Sequence, residues 1–125
     1  MKKFYGSLNN RLMEEVKNPE PEVGMGVTES MYSDRHAWYV AEITKKNAKG
    51  EVTEIRLVRA TYKCNDYFAG NWTVFPFEKA DVEQTIRIKR TRPDKFGRRF
   101  WTYGGKMEGT KFILGHADEY EDPSF

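Results

Sequence analysis

The chain has few of the residues that build common catalytic and metal sites. Among its 125 residues there are one cysteine, Cys64, and two histidines, His36 and His116. A single cysteine excludes an internal disulfide and a cysteine-based zinc site. The sequence also has no Gly-x-Ser-x-Gly nucleophile motif and no glycine-rich phosphate loop followed by Lys and Ser or Thr. We therefore expect no catalytic residues, no metal and no cofactor.

Long hydrophobic runs are lacking as well. No stretch approaches the roughly 18 apolar residues that a membrane-spanning helix needs. Lys2 and Lys3 resemble the start of a secretion signal, but no apolar core follows them. The solitary cysteine is typical of a reducing compartment. These features predict a cytoplasmic protein with no membrane partner.

Aromatic and charged residues are plentiful by comparison. Aromatic residues make up 14% of the chain and charged residues 32%, whereas hydrophobic residues make up 38%. A chain of this length forms one core, so we predict a single domain over residues 1–125. The net charge of +2 is too small to indicate nucleic-acid binding by itself.

The hydrophobic pattern predicts one helix followed by strands. Leu8, Leu12 and Val16 recur at four-residue spacing, which predicts a helix over 7–17. Residues 23–116 form the predicted β core, and 117–125 form an acidic tail. The stretch 36–44 is apolar on both faces, which is typical of a barrel, a sandwich or a subunit interface. The predicted strands span 24–32, 36–44, 52–62, 72–77, 84–92, 98–103 and 110–116.

The predicted fold class is therefore mainly β, or α+β in a broad classification. It consists of a curved antiparallel sheet or a small barrel, with one N-terminal helix. Because a helix of about 11 residues is marginal on its own, it must dock on the sheet or on another subunit.

Ser33-Asp34-Arg35-His36 places four chemically different side chains in a row. A catalytic triad needs a serine, an imidazole and a carboxylate in a geometry that sequence neighbours on a turn rarely reach. Two other interpretations stay open. Ser33 and Asp34 cap a turn with side-chain hydrogen bonds, or Arg35 and His36 project from a tight corner and hold an anion or a base.

Residues 87–99 form a strongly basic predicted hairpin with one acid, Asp94, and with Phe96 among its aromatic residues. Arginine binds phosphate through paired hydrogen bonds, and aromatic rings stack on bases. Arg90 and Arg92 share the strand parity of the inward-facing isoleucines, which predicts that they enter a cleft. The alternative is a solvated hairpin whose charges pair with the acidic tail. The basic residues are Arg87, Lys89, Arg90, Arg92, Lys95, Arg98 and Arg99.

The stretch 62–77 combines amides with aromatic rings. Trp72 lies beside Asn71, and either Trp72 or Phe96 is a candidate for stacking on a base. The alternative is a loop that leads into a buried strand, which we favour for Phe75 and Phe77.

The strings "PEPEVGMGVTESMYSDRHAWYVAEI" at 19–43 and "FILGHADEYEDPSF" at 112–125 resemble small proteins encoded by bacteriophages and prophages of gut bacteria. The chain is similar to the phage Thoeris anti-defence sponges, the first such family described. That resemblance implies a small oligomeric protein in the bacterial host cell. It also implies capture, without cleavage, of cyclic ADP-ribose-type signals and, in some members, of cyclic oligonucleotides.

We therefore predict a non-enzymatic homo-oligomer that binds a small anionic nucleotide second messenger and sequesters it from host immunity. No site residue is carried over from the sponge family. One alternative is an SH3-like nucleic-acid-binding module, and another is a protein-blocking inhibitor of a host defence nuclease. The predicted ligand-binding residues are Arg35, His36, Trp72, Arg90, Arg92 and Phe96.

Overall fold

The structure, a computed structural model, describes residues 20–122. The helix predicted over 7–17 lies outside the described residues. Within them the fold is mainly β, as the sequence predicts. One turn of 3-10 helix at Phe77–Lys79 is the only helical element described. No helix among residues 20–122 is long and apolar enough to cross a membrane.

Eight strands are described, and six of them close into an antiparallel barrel. The barrel order is β1-β2-β3-β6-β7-β8, and β8 pairs with β1 to complete the ring. The remaining two strands, β4 and β5, form a separate two-stranded hairpin. The strands are β1 Gly26–Ser30, β2 Arg35–Lys46, β3 Val52–Arg59, β4 Tyr62–Asp66, β5 Asn71–Val74, β6 Asp81–Arg90, β7 Trp101–Thr102 and β8 Lys111–Leu114.

The strand register shows that the barrel strands are strongly staggered. A row of paired residues that starts at Arg35 on β2 returns to β2 at Lys45, ten residues further along. Closing a barrel requires such a stagger because the strands tilt against the barrel axis. The 12-residue length of β2 accommodates it. The row passes through Arg35, Ser30, Lys111, Thr102, Lys89, Glu54 and Lys45.

The barrel interior is filled by large apolar side chains. Ile55, Leu57 and Ile88 are fully buried, and two tryptophans close the gaps between them. This alternation of inward apolar and outward polar residues follows from the period-two geometry of strands. The core cluster contains Val27, Trp38, Val40, Val52, Ile55, Leu57, Ile88, Trp101, Phe112 and Leu114.

The outer face of β2 is covered by the same chain, which accounts for its apolar residues on both faces. Ala37 is fully buried, and its amide donates to Glu119 of the C-terminal segment. Tyr39 packs edge-on against Phe77, and its hydroxyl donates to the Phe75 carbonyl. The two-sided pattern therefore reflects intramolecular cover by the tail and by the segment after β5.

Most predicted strand boundaries shift by a few residues in the structure, and two predicted strands change substantially. The strand predicted over 52–62 ends at Arg59, and a new strand, β4, begins at Tyr62. Every residue of β4 is exposed, so it lacks the apolar alternation that marks a half-buried strand. The strand predicted over 98–103 shrinks to Trp101–Thr102, because residues 91–100 form an arm in which Thr91 and Phe100 are hydrogen-bonded.

Replacement of Leu57 by alanine tests the barrel core. Leu57 is fully buried in the core cluster, so Leu57→Ala should lower the free energy of unfolding by about 2–5 kcal/mol. Urea denaturation followed by tryptophan fluorescence measures this. Val82 on β6 is 74% exposed, and Val82→Ala, the control, should change stability by less than about 1 kcal/mol. Equal effects of the two substitutions would contradict the described core.

Candidate functional site

A surface depression of about 280 Å³ lies where β2, β3 and β6 meet the loop after β7. Its lining contains four cationic side chains and one carboxylate, Glu54. No other acidic residue lines this depression. The lining residues are Lys45, Thr53, Glu54, Lys89, Arg90, Arg92, Gly104 and Gly105.

The pairing of neighbouring barrel strands brings together three charged residues of the depression, Lys45, Glu54 and Lys89. Glu54 on β3 is paired on one side with Lys45 of β2 and on the other with Lys89 of β6. Glu54 is 4% exposed. Its Oε1 accepts from the Thr44 hydroxyl at 2.8 Å, and its Oε2 lies 3.9 Å from the Lys89 Nζ. The carboxylate is therefore held by neighbouring side chains at the base of a basic surface.

Arg90 forms part of the depression wall at the end of β6. Its side chain is 8% exposed, and its Nη1 lies 2.8 Å from Glu20 Oε1 and 3.3 Å from the Val52 carbonyl oxygen. Its guanidinium lies over the Trp101 ring, 5.0 Å from the centroid. The parity argument correctly predicts that Arg90 turns inward.

Arg92 also lines the depression, but its side chain is exposed. Parity fails as a guide here because β6 ends at Arg90, and the chain beyond it no longer alternates between two faces. The structure thus unites Arg90 and Arg92 at one depression, with Arg90 buried and Arg92 on the surface.

The loop at Gly104 and Gly105 closes the depression on its fourth side. Gly105 has φ of +75°, and a Cβ at this position would lie 3.2 Å from the Lys89 Cβ. The backbone can therefore approach β6 this closely only with glycine. The sequence does not predict a role for this loop or for Lys45, Thr53 and Glu54, because cross-strand register is not visible in a linear pattern.

Arg35 and His36 do not line this depression. Arg35 pairs with Asp118 at 2.8 Å and lies over the Tyr120 ring at 4.9 Å. His36 Nδ1 lies 3.7 Å from Glu29 Oε1. Both residues are thus engaged by this chain's own side chains.

Trp72 and Phe96 lie on two further surfaces. Trp72 on β5 has its ring 5.7 Å from that of Tyr62 and 6.5 Å from that of Tyr67. Its indole N–H is buried and has no hydrogen-bond partner among residues 20–122. Phe96 is 68% exposed at the tip of the basic arm. The six predicted site residues therefore do not form one site.

Within residues 20–122, the ion pairs of the acidic tail join it to the barrel strands rather than to the basic hairpin. Asp118 and Glu119 pair with Arg35 and Arg59, which lie on β2 and β3. The hairpin arginines have nearer partners. Arg98 pairs with Asp94 at 3.0 Å, Arg99 with Glu51 at 3.4 Å and Arg90 with Glu20 at 2.8 Å.

A separate buried carboxylate, Glu29, lies beside the barrel core and accepts hydrogen bonds from two side chains. The Trp38 indole N–H donates to Oε1 at 3.0 Å, and the Tyr103 hydroxyl donates to Oε2 at 2.9 Å. Burial raises the pKa of Glu29, but the nearby His36 imidazole and the hydrogen bonds from Trp38 and Tyr103 outweigh burial and hold the pKa below its usual value. Burial, together with Glu29 itself, raises the pKa of Tyr103 to about 12.

Within residues 20–122, no cluster of three or more histidine, cysteine, aspartate or glutamate side chains is placed to hold a metal ion. Comparison of the chain with protein-family models, with curated proteins and with solved structures gave no match. The site is therefore interpreted from its own geometry.

The substitution Glu29→Gln tests whether the buried carboxylate contributes to the pH dependence of stability. Because the folded pKa of Glu29 lies below its unfolded value near 4.5, its stabilising effect is present above that pH and is lost as pH falls. Glu29→Gln should therefore flatten the decline of unfolding free energy between pH 6 and pH 3. Tyr103→Phe removes one donor and should give an intermediate slope. Identical slopes for all three proteins in urea titrations would refute this role.

Proposed function

We propose that the protein binds a small anionic nucleotide and holds it without transforming it, with the phosphates in the depression beside Arg90. The observation that carries this proposal is the composition of the lining. Four cationic side chains surround about 280 Å³ of space, and Glu54 is the one carboxylate among the lining residues. Guanidinium and ammonium groups in this arrangement replace the water that phosphates lose on binding.

The size of the depression supports a ligand that is only partly enclosed. Sites that bury most of a drug-sized ligand occupy about 300–1,000 Å³, and this depression is slightly smaller. A pyrophosphate group fits in such a space, whereas a complete dinucleotide extends beyond it. The base and sugar of the ligand would therefore lie on the surface around the depression.

The lining also supports binding without reaction. It contains no histidine, cysteine or serine, and its one hydroxyl, on Thr53, has no imidazole among the lining residues to activate it. Its carboxylate, Glu54, is buried and already accepts a hydrogen bond from Thr44. A general base must reach the proton that it removes, and the two oxygens of Glu54 face Thr44 and Lys89 instead.

The resemblance to the phage anti-defence sponges supplies the biological class of the proposal. It favours cyclic ADP-ribose isomers as ligands, and cyclic oligonucleotides as a wider group. In that role the protein would be a homo-oligomer in the bacterial cytoplasm and would keep the signal from its immune receptor.

A nucleic-acid ligand is the second candidate, and the basic arm at 91–100 favours it. The exposed ring of Phe96 is flanked by Arg98 at 4.9 Å and Lys95 at 5.2 Å. Stacking on an exposed ring beside cations is typical of single-strand binding. Salt separates the two candidates, because many phosphate contacts give a steep fall in affinity as salt rises.

Thermal shift against a ligand panel tests the proposed function directly. The panel contains cyclic ADP-ribose isomers, cyclic dinucleotides, ADP and, as the phosphate-free control, adenosine. A ligand bound only by the folded protein raises the melting temperature. Heat denaturation of the complex followed by chromatography should return the ligand intact. Recovery of a converted product would refute non-catalytic binding, and equal shifts with adenosine would refute phosphate recognition.

Removal of one cation should weaken nucleotide binding. A hydrogen bond to a charged group contributes about 1.5–3 kcal/mol, so Arg92→Gln should raise the dissociation constant of the best panel ligand about tenfold or more. Isothermal titration calorimetry measures the change. Lys63→Gln on the exposed strand β4 removes the same charge away from the depression and should leave affinity nearly unchanged. Equal losses would indicate a general charge effect.

Removal of the carboxylate that pairs with Arg90 should have the opposite effect. Glu20 Oε1 lies 2.8 Å from Arg90 Nη1, and the Glu20 side chain is 54% exposed. A phosphate at Arg90 competes with this carboxylate, so Glu20→Gln should lower the dissociation constant several-fold in the same titration. A weaker affinity in Glu20→Gln would show that Glu20 positions Arg90 for the ligand.

A further inference from the structure

The C-terminal segment 116–122 lies across the outside of the barrel as an extended peptide. The Thr28 hydroxyl donates to the His116 carbonyl oxygen at 2.6 Å and accepts from the Asp118 amide at 3.0 Å. The backbones of Tyr120 and Arg35 exchange two hydrogen bonds, at 2.8 and 2.9 Å. The barrel thus holds this segment through one backbone bridge at the start of β2 and through side-chain hydrogen bonds on either side of it.

Glu119 occupies a socket of three donors. Its Oε1 accepts from Arg59 Nη1 at 2.7 Å and from the Ala37 amide at 2.9 Å, and its Oε2 accepts from Arg59 Nη2 at 3.0 Å. Glu119 is 6% exposed and Arg59 is 8% exposed. The Arg59 guanidinium also lies over the rings of Tyr62 at 4.8 Å and Trp38 at 5.6 Å. The ring contacts hold the Arg59 guanidinium in place, and its two parallel hydrogen bonds match the two oxygens of a single carboxylate.

The residues on either side of Glu119 are recognised separately. Asp118 pairs with Arg35 at 2.8 Å, and the same guanidinium lies over the Tyr120 ring at 4.9 Å. A Cβ at Gly70 would lie 2.8 Å from Tyr120 Cε1, so glycine at the tip of the β4–β5 hairpin makes room for the ring. The groove therefore makes specific contacts with three consecutive residues of the tail, two acidic and one aromatic: Asp118, Glu119 and Tyr120.

A single glycine connects this segment to the barrel. β8 ends at Leu114, and the exposed Gly115 that follows has φ of +115°. The contacts described above run to β1, β2, β3 and the hairpin, whereas the segment is covalently attached to β8. The Gly115 amide donates to the Gly26 carbonyl oxygen at 2.8 Å, so release of the acidic segment requires rotation only beyond this anchor, with the barrel strands unchanged.

We propose that this groove is an acidic-peptide site that takes the tail of a second copy of this chain. Glu119 of one copy would then occupy the Arg59 socket of the other, in a dimer that exchanges tails. A second copy supplies the identical sequence, so every contact made within one chain is remade between chains. Charge complementarity favours the same occupant, because two arginines of the groove meet two carboxylates of the tail. This proposal does not depend on nucleotide binding.

Cysteine trapping tests the exchange. The Asp122 amide lies 2.9 Å from Asp34 Oδ1, so cysteines at these positions can join. In a Cys64→Ser background, Asp34→Cys and Asp122→Cys chains are mixed at high concentration and oxidised. We expect a disulfide-linked dimer that contains one of each chain. Asp122→Cys mixed with Lys49→Cys, on the exposed turn before β3, is the control and should give no such dimer. Absence of the mixed dimer would overturn exchange.

A fluorescent peptide of residues 115–125 provides a second readout that needs no disulfide. In the full-length chain, Glu119→Gln weakens the binding of the chain's own tail to the groove, so this tail competes less with an added peptide. The wild-type peptide should therefore bind this variant at least tenfold more tightly than it binds the wild-type chain. A peptide with glutamine in place of Glu119 should bind at least tenfold more weakly than the wild-type peptide. Fluorescence anisotropy measures both. Failure of the peptide to bind either chain would overturn the proposed site, whatever the result of the nucleotide titrations.

Discussion

Pairing of β8 with β1 is the constraint on which the other features depend. It converts a curved sheet into a closed barrel, in which the stagger between strands is fixed by the ring. This stagger brings Lys45 and Lys89 to either side of Glu54. It also ends β8 at Leu114, beside Gly26, so that the chain emerges next to the groove on β1 and β2. The depression therefore follows from the register of β2, β3 and β6, and closure by β8 places the tail beside its groove.

The charges of the barrel are distributed unequally between these two surfaces. A buried charge is tolerated when it is paired and hydrogen-bonded. In the tail groove Arg35 and Arg59 each meet a carboxylate of the C-terminal segment. At the depression the lining has four cations and one carboxylate. Even with Glu20 paired to Arg90, cations outnumber carboxylates around the depression, whereas in the tail groove each of the two arginines meets one carboxylate of the C-terminal segment.

The sequence predicts the strand-rich fold and the inward turn of Arg90, because both follow from a period-two pattern within one strand. It does not predict the depression. Glu54 and Gly105 are 51 positions apart and meet only through the ring of strands. The tail contact of Arg35 is likewise hidden, since Asp118 lies far along the chain. Strand β4 carries no apolar alternation, so local pattern could not identify it.

The filled interior restricts where any ligand can bind. Even an eight-stranded barrel has an interior just wide enough for side chains, and the six-stranded ring described here contains Trp38, Trp101 and Phe112 in its core. A ligand must therefore bind outside the barrel, where water reaches part of it. On such an open surface apolar contact is limited, and charge must provide much of the affinity. The cationic lining of the depression is the reason why the proposed ligand carries phosphate, since a neutral ligand would gain little from these charges.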